Sequence, residues 1–172
     1  MLQENPALAV EELKPSGVFT VEIFDKNGKL KETIEIPNGV TTVGKNLMLG
    51  AMFNGVSPAT TWYIGLIDNS GYSAVAAGDT MSSHTGWNEF TTYDESARVE
   101  WTEGAAASGS ITSSSVSTFT IGGNGTLRGI FVVSNSTKGG TSGTLWSTAL
   151  FAAATAVADD DQIKITYTVN LT

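Results

Sequence analysis

The chain has 172 residues, 41% of them apolar and 15% charged, with a formal net charge of −8 and no cysteine. That is the length of one domain, which would bury about 70% of its unfolded surface, and an acidic balance unbroken by any Lys/Arg cluster argues against nucleic-acid binding. Without thiols neither a disulfide framework nor a thiolate zinc site is available, so the fold must rest on burial and hydrogen bonding.

Residues Met1–Ser16 (MLQENPALAVEELKPS) hold Pro6, Pro15 and an apolar patch at Leu8–Val10 without a sustained period. No long apolar run follows a basic start, so neither a secretory signal nor a membrane span is expected. Residues 1–16 read as an arm, either frayed or laid against a neighbouring chain through Leu8, Val10 and Leu13. The remainder, 17–172, reads as a single β-sandwich domain.

From Val18 the apolar period is two. Phe19, Val21 and Ile23 alternate with Thr20 and Glu22, Asn27-Gly28 supplies a turn, and Leu30, Ile34 and Ile36 continue the alternation, which predicts a β-hairpin. Thr41 or Thr42 can then cap a short helix with Val43, Leu47, Met48, Ala51 and Met52 on one face, stopped by Asn54-Gly55. Trp62–Ile67 is a nearly continuous apolar run, as a strand buried on both faces requires. Further strands are predicted at 87–93 and 97–102, joined by Asp94-Glu95, with Arg98 and Glu100 facing away from Val99 and Trp101. Others follow at 112–121, 127–134, 144–151 and 162–171. In the last, Ile163, Ile165, Tyr167, Val169 and Leu171 point one way and Lys164, Thr166, Thr168 and Asn170 the other. About nine short strands and one short helix predict an all-β antiparallel sandwich or jelly roll.

Chemistry is sparse. His84 is the only imidazole, with Asp79 and Glu89 near it in sequence, yet a single histidine in a polar loop more often staples that loop than acts as a base. Asp159-Asp160-Asp161, or Asp68 with Asp79, could offer oxygens to calcium, but neither set has the spacing of a known loop and a solvated turn is the simpler reading. Gly122–Gly125 (GGNG) lacks the Lys-Ser/Thr of a phosphate cradle and reads as a hairpin turn between Ile121 and Leu127. Glu89 and Glu100 read as exposed strand acids rather than a glycosidase pair. No catalytic residue, metal or cofactor is expected. Among the aromatics, Trp62, Tyr63, Trp87, Tyr93 and Trp101 read mostly as core. Trp146, out of phase with Leu145, Ala149 and Phe151, reads as an outward or interface position, where a tryptophan behaves as a hot spot.

The run WYIGLIDNSGYSAVAAGDTMSSHTGWNEFTTYDESARVEW at Trp62–Trp101, followed by Gly129-Ile130-Phe131 and SNSTKGGTSGTLWSTALF, resembles small virion proteins of tailed-bacteriophage structural modules, and among them head decoration, or cement, proteins. Ala77–Met81 and His84–Trp87 are its most recognisable portions, and the resemblance runs from about Val18 to the end. It implies a sandwich or jelly roll that oligomerises as a homotrimer on the outer capsid surface of the virion. There it would bind the major capsid protein across neighbouring subunits, without catalysis, membrane or nucleic acid, and with the Met1–Ser16 arm and the helix near Val43–Phe53 on the capsid or protomer interface. Binding only the assembled shell would stabilise that shell by mass action. The alternative is a tail- or fibre-associated module that recognises a host glycan through exposed aromatics.

Overall fold

The computed structural model describes residues 13–171. The alternating segment after Leu13 forms β1 (Pro15–Phe24) and β2 (Leu30–Pro37), so Pro15 and Ser16 belong to the sandwich and not to the arm. Between the strands, Asp25 Oδ1 accepts the backbone N–H groups of Asn27 and Lys29 at 2.8 and 2.9 Å. The Lys29 amide is the largest influence holding that carboxyl below its usual range. After a two-residue β3 (Gly39–Val40) comes helix α1 (Thr42–Phe53). Thr41 is its N-cap, as the sequence suggests: the hydroxyl oxygen accepts from the Gly44 amide at 3.0 Å. Asn54 closes the other end, donating its N–H to the Gly50 carbonyl.

The remaining elements are β4 (Trp62–Asp68), β5 (Asn88–Phe90), β6 (Val99–Trp101), β7 (Ser110–Thr112), β8 (Ser117–Thr120), β9 (Gly125–Val133), β10 (Leu145–Val157) and β11 (Gln162–Leu171). They make two antiparallel sheets. One runs β2-β1-β11, with β7 and β8 both on the far side of β11; the other runs β3-β10-β9-β4, with β5 and β6 both on the far side of β4. The sequence-based count of nine becomes eleven among the described residues because β3 is added and 112–121 splits in two.

Two further readings are corrected. The strands expected at 87–93 and 97–102 shorten to β5 and β6, and Asp94-Glu95 alone does not join them: β5 pairs Leu66–Asp68 and β6 pairs Trp62–Ile64, so together they are one interrupted strand along β4. The interruption is an excursion to the opposite sheet, where Tyr93 bridges Ile121 and the Asp94 amide reaches the Thr120 carbonyl at 2.8 Å. GGNG is likewise not a hairpin turn, because β8 before it and β9 after it lie in different sheets. β7 and β8 repeat the interrupted-strand device along β11, pairing Thr168–Asn170 and Gln162–Ile165.

The core has two layers. Between the sheets lie Phe19, Ile64, Leu66, Phe119, Ile163, Ile165 and Tyr167, all essentially inaccessible. On the outer face of the second sheet Ile67, Phe131, Val133 and Leu145 are covered by Met81 and Trp87 from the connection between β4 and β5. This is why Trp62–Ile67 is apolar at every position: β4 is central and buried on both sides, as its composition suggests. Gly65 belongs to the second layer. A Cβ there would fall 2.2 Å from Phe131 Cζ, so only glycine lets that ring lie across the strand.

Candidate interaction surface

Apolar groups stay open to water at one end of the sandwich. β1 enters there, with Pro15 opposite Leu171 and Gly17 opposite Val169. On the facing sheet Trp62 pairs with Trp101, and Trp146 stands near the start of β10. Trp62, Trp101, Trp146, Ile111, Val169 and Glu103 together line a groove of about 190 Å³.

Each wall has a local cause. Trp101 Nε1 donates to Ser113 Oγ at 3.0 Å, and its ring meets Tyr167 edge-on with centroids 4.9 Å apart. Trp146 is the extra residue of a β-bulge: Leu145 pairs with Val133 and Ser147 with Val132, leaving Trp146 no partner in β9. A bulge re-aims its side chain, and the indole turns inward to donate to Tyr167 Oη at 2.9 Å. Trp146 is therefore half-buried between core and groove, and the sequence phase that sets it apart from its neighbours is the mark of the bulge. Trp62 packs against it with ring centroids 6.0 Å apart. Tyr167, fully buried in contact with both Trp101 and Trp146, has its phenol pushed up to about 12 by burial.

Trp62 and Trp146 also border a second hollow of about 260 Å³ whose other wall is α1, through Leu47, Met48, Ala51 and Met52. Gly44 brings the helix down onto β10, where a Cβ would lie 2.7 Å from the Trp146 carbonyl oxygen. The Thr41 hydroxyl fixes the same end by donating to the Leu145 carbonyl. Beyond this anchor the helix is barely covered. Gly44 is its only buried residue, while Leu49, Met52, Phe53 and the following Val56 are 51, 70, 79 and 43% exposed. Leu49, Met52 and Phe53 fall at i, i+3 and i+4, a stripe that faces solvent. The first half of that face is polar, with Thr42, Lys45 and Asn46 exposed, and the second half is apolar.

Of the arm and interface residues expected from sequence, Leu8 and Val10 lie outside the described residues. Leu13 is 68% exposed. Trp146 lies in the groove wall, bordering α1's hollow. The helix near Val43–Phe53, also expected at an interface, leaves Leu49, Met52 and Phe53 exposed.

The residues weighed for chemistry are engaged elsewhere. His84 stacks on Trp87 with centroids 4.0 Å apart and its Nδ1 lies 3.0 Å from the Trp87 carbonyl oxygen. Asp79 Oδ2 accepts from Trp87 Nε1 at 3.0 Å and from the Ala76 amide at 2.8 Å. Both groups hold the tryptophan that caps the second layer. Glu89 is not an exposed strand acid, and Arg98 does not face water: the two form a buried ion pair, their side chains 7 and 0% exposed. Asp161 is also buried, accepting from Lys31 Nζ at 2.6 Å and the Ala158 amide at 2.8 Å. Among the described residues no group of three or more His, Asp or Glu is placed to hold a metal ion.

Compared with known proteins, the chain matches no family model, and no curated protein matches it.

Proposed function

We propose that this chain is a structural virion protein that decorates and stabilises a phage capsid. It binds the major capsid protein across neighbouring subunits on the outer surface, as a homotrimer and without catalysis. The observation that carries the reading is α1, anchored at its N-terminus and left open along Leu49, Met52 and Phe53. Such a stripe, continuous through Trp62 and Trp146 with the groove beside it, is the kind of apolar patch that marks a contact with another protein. The resemblance of Trp62–Trp101 and 134–151 to cement proteins supplies the identity of the partner. A rigid sandwich that adds buried area across a lattice stabilises the shell by binding it only when assembled.

The test is binding of purified protein to undecorated capsids. Phe53→Asp, at a position 79% exposed, should leave the fold intact and abolish capsid occupancy. Undiminished occupancy would remove α1 from the interface and the reading with it. A second reading, glycan recognition at a tail or fibre, is favoured by the tryptophan lining of the groove. A glycan array decides it, because specific binding that disappears in Trp146→Ala would support the adhesin.

A further inference from the structure

We propose that the Asn54-Gly55 peptide at the end of α1 is a site of spontaneous deamidation, the one of four Asn-Gly pairs that the fold leaves free to react, and that the reaction sets a carboxylate beside the exposed apolar stripe. The chemistry rests on the folded chain alone. Only its effect on docking rests on the function proposed above.

The four pairs are Asn27-Gly28, Asn38-Gly39, Asn54-Gly55 and Asn124-Gly125. Glycine has no Cβ to hinder its own nitrogen, so in an unfolded chain each pair can close on itself. At Asn54, solvent hydroxide removes the Gly55 amide proton and the nitrogen bonds to Asn54 Cγ. The Cγ–Nδ2 bond breaks and ammonia leaves. Water then opens the resulting succinimide at either carbonyl, giving aspartate or isoaspartate, so that an amide and water become a carboxylate and ammonium.

The fold withdraws three of the pairs. The Gly28 amide donates to the Asp25 carbonyl at 2.8 Å, inside a turn that Asp25 Oδ1 also fastens. The Asn38 side-chain amide donates to the buried Tyr167 hydroxyl, and Gly39 pairs with Thr148 in β3. Gly125 pairs with Val157 at the start of β9, while Asn124 Oδ1 accepts from the Asp159 amide at 3.4 Å.

Asn54-Gly55 is held by much less. Both residues are exposed, and a Cβ on Gly55 would meet nothing within 4 Å. Among the described residues, neither the Asn54 side chain nor the Gly55 N–H has a hydrogen-bond partner. The turn depends on the Asn54 and Val56 amides, which share the Gly50 carbonyl at 2.9 and 3.1 Å. Ring closure needs the second of these bonds to open, and a bond at an exposed helix end opens at little cost.

The product matters because of where it forms. Asn54 follows Met52 and Phe53, the most exposed apolar side chains of α1. A carboxylate here meets the negative end of the helix dipole, and the last turn contains no basic residue to offset it. An apolar interface closing over the stripe would have to desolvate that charge.

The test is peptide mapping by mass spectrometry of full-length protein held in warm, mildly alkaline buffer, with a parallel sample in urea. In urea all four pairs should convert. In the folded protein Asn54 should convert at close to its unfolded rate, while the other three slow by roughly tenfold or more, because each must first break its bonds by local opening. Asn54→Ser should remove the conversion at that position and leave circular dichroism unchanged. Two results would each overturn the proposal: an Asn54 that stays intact in the folded protein while converting in urea, or any of Asn27, Asn38 and Asn124 converting as fast as Asn54 in the folded protein. The effect on docking is read separately, as lower capsid occupancy by Asn54→Asp. Full occupancy by that variant would overturn the docking effect while the mass spectra still decide the chemistry, so the two failures are distinguishable.

Discussion

Replacing Arg98 by methionine tests whether the interrupted strand β5–β6 is held by a charge buried inside it. The guanidinium donates from Nε to Glu89 Oε1 at 3.0 Å and from Nη2 to Glu89 Oε2 at 2.7 Å, a bidentate pair. The same group reaches the carbonyls of Asn135 at 3.0 Å and Gly140 at 2.7 Å, while the Gly139 amide donates to Glu89 Oε2 at 2.9 Å. The pair therefore clasps the long β9–β10 loop to the second sheet. With methionine in its place, Glu89 would remain buried with one backbone donor, and two loop carbonyls would lose their partner. Breaking a buried pair from one side costs about 3–5 kcal/mol, a large share of the roughly 5–15 kcal/mol that holds a domain folded. At about 2–4 °C per kcal/mol for a chain of this size, Tm should fall by roughly 10 °C. Urea unfolding followed by tryptophan emission should show the midpoint drop with an unchanged slope. Adding Glu89→Met removes the stranded charge and should recover a substantial part of the loss. A cost below about 1 kcal/mol for Arg98→Met, or a double variant no better than the single one, would refute the argument.

Gly65→Ala should be destabilising by about 1–3 kcal/mol or more, because the added methyl meets a Phe131 ring that is fully buried and backed by Trp87, with centroids 5.1 Å apart. Thermal unfolding measures it, and a wild-type Tm would show that Phe131 has room to move. Alkaline pH should also destabilise the protein. Burial raises the Tyr167 phenol from an ordinary 10.0 to about 12, and moves Tyr93 in the same direction for the same first reason. The folded state therefore favours the neutral phenol. Its contribution is complete below pH 10, where the unfolded chain begins to ionise, and is lost as pH climbs through about 12. For Tyr167 the two-unit difference corresponds to about 3 kcal/mol. A denaturant midpoint that stays flat across that window would contradict it.

Where local pattern and global fold agree, the sequence was readable residue by residue. β11 occupies Gln162–Leu171 as its alternation requires, although only Ile163, Ile165 and Tyr167 on its apolar side are fully buried. The first hairpin and the Thr41 cap are equally local, each set within a few residues. Arg98 and Glu89 were misread because their environment comes from Asn135, Gly139 and Gly140, some forty residues away, and no period can report that. The break between β5 and β6 was hidden for a related reason, since Tyr93 leaves the strand to bridge Ile121 on the opposite sheet. α1 was legible in the way β11 was: Val43, Leu47, Met48 and Ala51, on the face its period marks, are half-buried, while Leu49 and Phe53 on the other side are exposed. For the groove, the tryptophans were visible as a group, while their convergence depended on a bulge at Trp146 and on strand order.

The distribution of protected and unprotected surface explains why contact with other chains should fall at one end of this molecule. Sheets invite association along open edges unless those edges are short, charged or interrupted. Here β2 presents Lys31, Glu32 and Glu35 along the first sheet's edge, and β3 at the second sheet's edge is two residues long. The opposite edges are divided into the pairs β5/β6 and β7/β8, no member of which exceeds four residues. The outer face of the second sheet is capped by Trp87, with His84 and Asp79 fastening it. Strand addition is thus discouraged on every side, and the large apolar side chains still open to water concentrate on α1, beside the groove that Trp62 and Trp146 share with it. Association through side chains at that end would leave the hydrogen-bonded body unchanged, so a partner could be gained or lost without refolding.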